Sequence, residues 1–316
     1  MLIRTLRISA VCLLLGTGLL PAASHAESRE VMDASLSQTA RDLYAAGAAT
    51  WAQRESTTGE TMVEVNKTDA SGNWMLGSVT PVLKSTAHEA PNAVFFLAHR
   101  VDGVWLVGME GSLRFRELAT AAPPDLLDSQ EKQNFTRQPN DLEAMVPTGL
   151  ALPWREGVAW YMGGGPHGNS GNSRPFNSID FNGRDGRVLA PRAGKFYRSC
   201  VRGGSALIKL VHDNGLSTTY YHMVNLANYS DGTQISKGTY LGTINIQLPC
   251  GGFASGPHVH FSLLRNNAPL SVNNQTIGGW TFYEGSQAYR GYALRNGQRV
   301  NPGGSLVNYG TSLMLD

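Results

Sequence analysis

The sequence predicts a mainly β fold, with an antiparallel sheet in the C-terminal half preceded by a small α+β region. The chain of 316 residues contains 36 glycines, a content typical of proteins with many tight turns. From Leu152 onward, strand-like runs alternate with turn sequences, of which Asp213-Asn-Gly215 is the strongest hairpin signal. Residues 35–51 differ, because their apolar side chains recur at helical spacing.

The N-terminal half is expected to form one α+β domain over residues 27–120. Ser35 is the candidate cap of its helix. A helix followed by consecutive strands favours a helix packed on an antiparallel sheet. The strand-like runs lie at 61–65, 74–82, 93–99 and 101–107.

A polar, proline-containing passage over residues 121–148 predicts a linker that includes a processing site. The second domain then covers residues 149–316. His212, which precedes the hairpin turn, is expected to be solvated. Strands of this domain are expected near 195–197, 206–211, 216–222, 240–246 and 258–264.

The two halves carry opposite charge, although the whole chain is near neutral at +2. Residues 27–149 contain 10 Lys and Arg against 17 Asp and Glu, net −7, and residues 150–316 contain 14 against 7, net +7. The halves are therefore expected to attract each other. No basic-aromatic pattern typical of nucleic-acid binding is visible, so no nucleic-acid partner is predicted.

Residues 1–26 have the pattern of a secretory signal peptide. Arg4 and Arg7 precede an apolar run that is too short for a stable membrane span. The chain is therefore expected to be exported, to the exterior or the periplasm, without a membrane anchor. Cys200 and Cys250 remain after removal of the signal, and a pair of cysteines in an exported chain predicts one disulfide. Two unpaired buried thiols are the alternative.

The hexapeptide Gly256-Pro-His-Val-His-Phe261 is the strongest functional signal. In a strand, side chains two residues apart face the same side, so His258 and His260 can reach one ion or one water. Taken alone, the hexapeptide also fits a pair of surface histidines on a half-buried strand. Further ligands elsewhere in the chain favour a metal site.

Candidate partners for this histidine pair lie in separate parts of the chain. His167 stands in a Gly-, Asn- and Ser-rich loop, and Asp180 follows that loop, while His222 ends a predicted strand. A catalytic zinc needs three protein ligands and one open position, which His167, Asp180 and one member of the His258/His260 pair would supply. The other member and His222 would then move protons during amide hydrolysis.

These motifs resemble the lysostaphin-type zinc metallopeptidases, and most closely their staphylolysin and β-lytic endopeptidase branch. The resemblance rests on His167 with a distant Asp180, on Tyr-Tyr-His222, and on Ser255-Gly-Pro-His-Val-His-Phe261. It implies a sheet that forms a groove and one zinc ion per chain, held by His167, Asp180 and His260. It also implies catalytic roles for His222 and His258, and transition-state support from Tyr221.

The resemblance further implies a secreted endopeptidase that is made with a propeptide. The change of charge sign between the halves favours the N-terminal part as that propeptide and as an inhibitor until cleavage, and a monomer is expected. Its expected substrates are peptidoglycan peptides, often with glycine at the cleaved bond, or glycine-rich protein. A wall amidase or carboxypeptidase, a non-catalytic wall-binding regulator and a permanent N-terminal accessory domain remain as alternatives. No cysteine follows Cys250, so the second disulfide of the branch has no counterpart. The loop over residues 278–301 is therefore expected to be shaped differently.

Overall fold

The computed structural model describes residues 33–47, 57–85, 90–137, 148–169, 171–266 and 268–311. Antiparallel strands dominate this part of the chain, which confirms the mainly β prediction. None of the helices among these residues is long and apolar enough to cross a membrane. The predicted signal peptide, residues 1–26, lies outside the described residues.

The N-terminal region is a helix packed on a four-stranded antiparallel sheet in the order β1-β2-β3-β4. Asp33, and not the expected Ser35, caps the helix, because its side chain accepts hydrogen bonds from the backbone N–H groups of Ser35 and Leu36. The helix packs through Leu36, Ala40 and Tyr44. The elements are α1 (Ala34–Gly47), β1 (Thr57–Thr68), β2 (Trp74–Leu83), β3 (Val94–Val101) and β4 (Val104–Met109).

The linker expected over residues 121–148 is folded in its first half, where the structure differs from the sequence expectation. Two helices, α2 (Leu113–Ala121) and α3 (Ser129–Thr136), follow β4. Asp128 and Glu131 form a capping box at the start of α3, each side chain accepting from the other residue's backbone N–H. This Asp-x-x-Glu pattern is a local signal for a helix start, and it outweighs the polar composition that favours a linker. Residues 138–147 lie outside the described part of the chain.

The C-terminal half is built on a nine-stranded sheet with the main order β12-β8-β9-β10-β14-β6-β5-β20, and β15 pairs with β14. Strands β11, β13 and β7 form a second sheet, and β16 to β19 form a third. The first strands are β5 (Ala159–His167), β6 (Ser178–Asn182), β7 (Arg187–Leu189), β8 (Gly194–Arg202), β9 (Ser205–His212), β10 (Leu216–Tyr221), β11 (Met223–Val224) and β12 (Thr233–Ile235). The others are β13 (Tyr240–Ile244), β14 (Val259–Arg265), β15 (Ala268–Pro269), β16 (Gln275–Ile277), β17 (Trp280–Tyr283), β18 (Tyr292–Arg295), β19 (Gln298–Val300) and β20 (Ser305–Val307).

Alternation along the strands divides the large sheet into two faces. One face is apolar: Ile208, Tyr220 and Phe261 pack in the main core of the C-terminal half. The opposite face carries the residues between them, including Lys209, Tyr221 and His260. We call it the polar face.

The predicted hairpin at Asp213-Asn-Gly215 is confirmed, since β9 and β10 pair on either side of it. The expectation for His212 is wrong: its side chain is fully buried. One ring nitrogen lies 2.9 Å from the Ala193 carbonyl and the other 2.9 Å from the Thr218 hydroxyl. His212 is buried although it lies next to the turn, because it is still part of β9 and pairs with Gly194 of β8.

The N-terminal region packs on the polar face of the large sheet. Phe95 and Phe135 form edge or tilted ring contacts with Tyr197 of β8. On the neighbouring strand, Val211 joins the same apolar cluster. Both halves of the chain therefore contribute to one continuous core at this contact.

Candidate metal centre

Three neighbouring strands bring the predicted ligands together. His167 is the last residue of β5, Asp180 lies in the middle of β6, and His260 lies near the start of β14. His260 pairs directly with Asp180 in the sheet, and Asp180 pairs with Gly164. Residues paired in this way face the same side of a sheet, so the register itself sets the cluster.

Gly164 makes room for the carboxylate. A Cβ atom at this position would lie 2.5 Å from Asp180 Oδ2 and 3.1 Å from the Tyr289 ring. Any larger residue would therefore displace the carboxylate. Gly164 of β5 therefore contributes to the site by leaving space for the Asp180 side chain.

The ligand atoms form a compact triangle. His260 Nδ1 lies 3.1 Å from Asp180 Oδ1 and 3.3 Å from His167 Nε2. His167 Nε2 lies 3.5 Å from the same Asp180 oxygen. His167 and His260 are buried, and the side chain of Asp180 is 16% exposed. All three atoms could contact one ion.

A hydrogen bond from Nδ1 of His167 leaves the lone pair on Nε2, the nitrogen that belongs to the triangle. Its Nδ1 lies 2.8 Å from the Gly165 carbonyl, which can only accept, so Nδ1 carries the proton and Nε2 is an acceptor. His260 Nε2 is buried without a hydrogen-bond partner among the described residues. The His260 proton can therefore sit on Nε2, which leaves the Nδ1 lone pair for an ion.

The donor set fits zinc in type and in spacing. Ligand distances of about 2.0–2.1 Å place tetrahedral neighbours about 3.3–3.4 Å apart. The three edges of 3.1, 3.3 and 3.5 Å bracket that value. Two imidazoles and one carboxylate, with a fourth direction left open, are the ligand set of many catalytic zinc sites. The structure thus has a cluster that can bind a metal ion.

The other two predicted histidines lie beside the triangle. The ring centroids of His222 and His258 are 4.6 Å apart, and His258 Nε2 lies 3.6 Å from Asp180 Oδ1. His222 Nδ1 lies 3.1 Å from the Gln247 carbonyl, and His258 Nδ1 lies 2.8 Å from the Gly256 carbonyl. Both rings thus donate from Nδ1 and keep Nε2 as an acceptor.

His222 was predicted to end a strand, but β10 stops one residue earlier. Its φ of +66° is outside the extended range, so the chain turns away at this residue. The backbone N–H of Asn245 donates to the His222 carbonyl at 2.7 Å, and Asn245 also pairs with His258. This connection holds the two histidines at one end of the polar face.

Burial keeps His167 and His222 neutral at ordinary pH. Removal from water, together with the neighbouring histidines, lowers the pKa of His222 to about 3. Burial likewise lowers the pKa of His167 to about 4, although the Asp180 charge opposes the change. Burial would raise the pKa of Asp180, but His167, His260 and His258 outweigh it and hold that pKa below its usual value. The site therefore offers neutral nitrogens and an ionised carboxylate.

A cavity of about 520 Å³ opens in front of the triangle. Glycine backbone forms much of its wall, and Phe253 is an aromatic member with 41% of its surface exposed. The lining residues are Gly163, Gly164, Asp180, Asn182, His222, Phe253, Ala254, Ser255, Gly256, Pro257, His258, His260 and Tyr289. Four of the five predicted histidine and aspartate residues of the site thus face one cavity, and His167 lies behind them.

Tyr221 does not line this cavity. Its hydroxyl donates to the Gly251 carbonyl at 2.9 Å and accepts from the Cys250 N–H at 2.9 Å. In this structure it fixes the loop beside His222, and the expected transition-state role remains a prediction. Cys250 is bonded to Cys200 with a Cα separation of 5.8 Å, which confirms the predicted disulfide and links this loop to β8.

Sequence reasoning missed Tyr289. Its ring stacks on His167 with centroids 4.1 Å apart and planes 23° from parallel, and it lines the cavity. Its φ is +66°, and its N–H donates to the Pro166 carbonyl at 3.0 Å. It lies in the loop expected to differ from the staphylolysin branch, where no motif marks it. Only the tertiary contact with β5 shows its place.

The chain matches known proteins over this C-terminal half. Residues 174–272 match the model described as peptidase family M23, a stretch that includes Asp180, His222, His258 and His260 but not His167. Protease LasA of Pseudomonas aeruginosa is 32% identical over 189 residues, 55% of this chain and 43% of LasA. This chain thus spans less than half the length of that relative.

Two further relatives are matched over almost their whole length by about half of this chain. The beta-lytic metalloendopeptidase of Lysobacter enzymogenes is 32% identical over 180 residues, 50% of this chain and 98% of that protein. The solved structure of the deep-sea M23 metalloprotease pseudoalterin is 36% identical, covering 50% of this chain and 95% of that chain, with a TM-score of 0.43. Since nearly the whole Lysobacter protein is contained in this chain at that identity, the chain belongs to peptidase family M23.

Proposed function

We propose that this protein is a zinc-dependent endopeptidase that cleaves peptide bonds of bacterial cell walls. The observation that carries the proposal is a triangle of three potential metal ligands that opens onto a cavity lined by two further histidines, His222 and His258. His167, Asp180 and His260 would hold the ion. Bound there, zinc would polarise a substrate carbonyl and make water a stronger acid.

His222 and His258 have the properties of proton carriers. Each holds its ring in place through an Nδ1–H bond to a backbone carbonyl, which leaves Nε2 as the acceptor of the neutral ring. Either Nε2 can accept the proton of the attacking water and return it to the leaving amine, and while the ring holds that proton its positive charge can stabilise the charged carbonyl oxygen. The presence of all five residues supports an enzyme over a non-catalytic wall-binding regulator.

The cavity walls support a substrate rich in small residues. Gly163 and Gly164 line the cavity together with residues 253–256, so that a peptide in the cavity would lie close to the backbone. Peptidoglycan cross-bridges or stem peptides with glycine at the cleaved bond match this shape, as do glycine-rich proteins. The names of the beta-lytic relatives and of lysostaphin, an antimicrobial peptidase, agree with a wall substrate.

One experiment tests metal, bond and substrate together. Metal content is measured on purified protein from which residues 1–137 have been removed, and the same sample digests pentaglycine and purified peptidoglycan. New glycine termini in the mass spectrum, about one zinc per chain, and loss of cleavage after chelation are expected. Removal of a terminal residue or release of the glycan-linked amide instead would indicate a carboxypeptidase or an amidase. Cleavage that survives complete zinc removal would contradict the proposal.

We also propose that residues 27–137 form an inhibitory propeptide, so that the active domain begins near residue 149. The Leu83 N–H donates to the Cys250 carbonyl at 2.9 Å, and the Ala90 N–H donates to the Asn169 carbonyl at 3.0 Å. Cys250 lies in the loop near His222, and Asn169 follows His167. The N-terminal region thus contacts the loops on both sides of the polar face.

This masking is tested by comparing the full chain with the same protein after cleavage between residues 137 and 148 and removal of the N-terminal part. At least a tenfold gain in peptide cleavage is expected. Equal activity before and after cleavage would indicate a permanent accessory domain. We also propose that residues 1–26 direct export and that the protein is a monomer. N-terminal sequencing of the secreted protein tests the export, and size-exclusion chromatography tests the monomeric state.

A further inference from the structure

The N-terminal region covers a group of basic and phenolic side chains on the polar face. Lys195 and Tyr197 lie on β8, and Lys209 lies on β9. Tyr197 pairs with Lys209, Lys209 with Thr219, and Thr219 with Ser262. Tyr197, Lys209, Thr219 and Ser262 therefore form one row across the sheet on the face that carries His260, and Lys195, two residues before Tyr197, faces the same side. We call Lys195, Tyr197 and Lys209 the basic row.

Each member of the basic row meets a carboxylate of the N-terminal region. Lys209 Nζ lies 3.0 Å from Glu110 Oε2, and the Tyr197 hydroxyl donates to Glu131 Oε1 at 2.6 Å. Lys195 Nζ forms an ion pair with Asp128. Three acids from α3, its cap and the end of β4 thus occupy one surface of the C-terminal half.

Burial makes this pairing costly to leave incomplete. The side chain of Lys209 is 2% exposed, and its ammonium group lies 4.2 Å from the centre of the Phe95 ring. Burial lowers the pKa of Lys209, and Glu110 opposes that shift. A buried lysine needs an anionic partner, because its ammonium group has lost the water that would otherwise solvate the charge. When the N-terminal region leaves, the basic row loses these three acids and Phe95.

Lys209, the member of the basic row nearest to His260, lies within the length of a short peptide from the metal centre. Lys209 is two strands and two residues away from His260, which corresponds to about 12 Å at usual strand spacing and rise. An extended peptide advances about 3.4 Å per residue, so this distance spans three or four residues. A peptide cleaved at the triangle would reach the row along the same face.

We infer that, in the cleaved enzyme, the basic row binds a carboxylate of the substrate peptide, three or four residues from the cleaved bond. The inference rests on the proposed endopeptidase function and on removal of the N-terminal region. Glu110, Asp128 and Glu131 then hold the places that substrate carboxylates take later. The same three contacts serve first for inhibition and then for selection of acidic peptides.

Paired peptides test this selection. The full chain carries a site-specific protease sequence between residues 137 and 148, and the C-terminal part is isolated after cleavage and loaded with zinc. Substrates are pentaglycine peptides with either Glu or Gln at one position, placed two to five residues from the cleaved bond on each side. At least a tenfold preference for Glu in kcat/KM is expected at a position three or four residues away, and it should weaken as salt rises.

Variants of the row identify the residues responsible. Lys209→Gln and Lys195→Gln should reduce the Glu-to-Gln ratio to within about twofold of one. Lys209→Arg should keep the preference, as should Lys237→Gln, which alters an exposed lysine paired with Glu156 outside the row. If Lys209→Gln does not fold, Lys195→Gln and the salt dependence of the wild-type ratio carry the test.

The outcomes separate the two proposals. If the cleaved wild-type protein hydrolyses neither peptide of any pair, the endopeptidase function fails. If it hydrolyses both at equal rates at every position, only the carboxylate site is refuted. A preference for Glu that persists in the Lys195→Gln and Lys209→Gln double variant would also refute the carboxylate site, because a group outside the basic row would then bind the substrate carboxylate.

Discussion

Two polar clusters on one face of the large sheet differ in how their charges are balanced. Around Lys209, each basic or phenolic group meets an acid of the N-terminal region. Around His260, two ring nitrogens and a carboxylate oxygen point at one another within 3.5 Å. The charges of the first cluster are paired within this chain, whereas the second brings together three atoms that could bind a cation. This difference distinguishes the proposed docking surface from the candidate metal centre.

His212 provides an internal reference for this comparison. It is as buried as His167 and His260, but each of its nitrogens has a hydrogen-bond partner. A buried histidine is therefore not by itself a sign of a metal site. What distinguishes the triangle is the convergence of acceptors.

The largest effect is expected when one of the three potential metal ligands is removed. In the cleaved protein, His260→Ala leaves two ligand atoms, so zinc content should fall below about 0.1 per chain and peptide cleavage at least a thousandfold. Atomic absorption and kinetics on pentaglycine measure both. His212→Gln is the matched control and should keep the metal. A His260→Ala protein with a full complement of zinc would show that the triangle is not the site.

A second change separates metal binding from proton transfer. In the cleaved protein, His222→Ala should keep about one zinc per chain but reduce kcat by about 10²–10⁴-fold, the usual contribution of a general acid or base. Zinc content and kcat are measured on the same preparation. Loss of the ion together with activity would instead make His222 a ligand.

The charge pairing around Lys209 is tested by replacing its partner in the N-terminal region. Glu110→Gln removes the carboxylate from Lys209 and should destabilise the full chain by about 3 kcal/mol in urea unfolding, since half of a buried pair remains. Glu117→Gln breaks an exposed pair with Arg114 and should change stability by less than about 0.5 kcal/mol. Equal effects of the two substitutions would mean that burial of Lys209 adds nothing.

The smallest expected effect is a pH dependence that arises from His212. Burial lowers its pKa from 6.5 to about 4 in the folded state, so the unfolded chain binds a proton first as pH falls. Stability from this residue is present above pH 6.5 and is lost as pH falls toward 4, with about 2 kcal/mol lost between pH 7 and 5. Urea unfolding at the two pH values should show a smaller loss for His212→Gln than for the wild type. An equal loss would assign the pH dependence to other groups.

The sequence alone identified the fold class, the hairpin at Asp213-Asn-Gly215 and the cysteine pair. These features depend on local patterns: period-two alternation, turn chemistry and an even number of cysteines. It also identified residues that the structure brings together at His260: His258 through the two-residue spacing, and His167, Asp180 and His222 through their residue types, their order and the family resemblance. The helix α3 was equally local, and its Asp-x-x-Glu cap could have been recognised.

Tertiary structure alone decided which distant side chains meet. The strand order places β14 beside β6 and β6 beside β5, so His260, Asp180 and His167 converge although their separation along the chain implies nothing of the kind. It also placed Tyr289 on His167, buried His212 behind a turn, and set the acids of the N-terminal region on Lys195, Tyr197 and Lys209. Periodicity specifies the face on which a residue lies, whereas sheet register and packing between domains specify the residue opposite it.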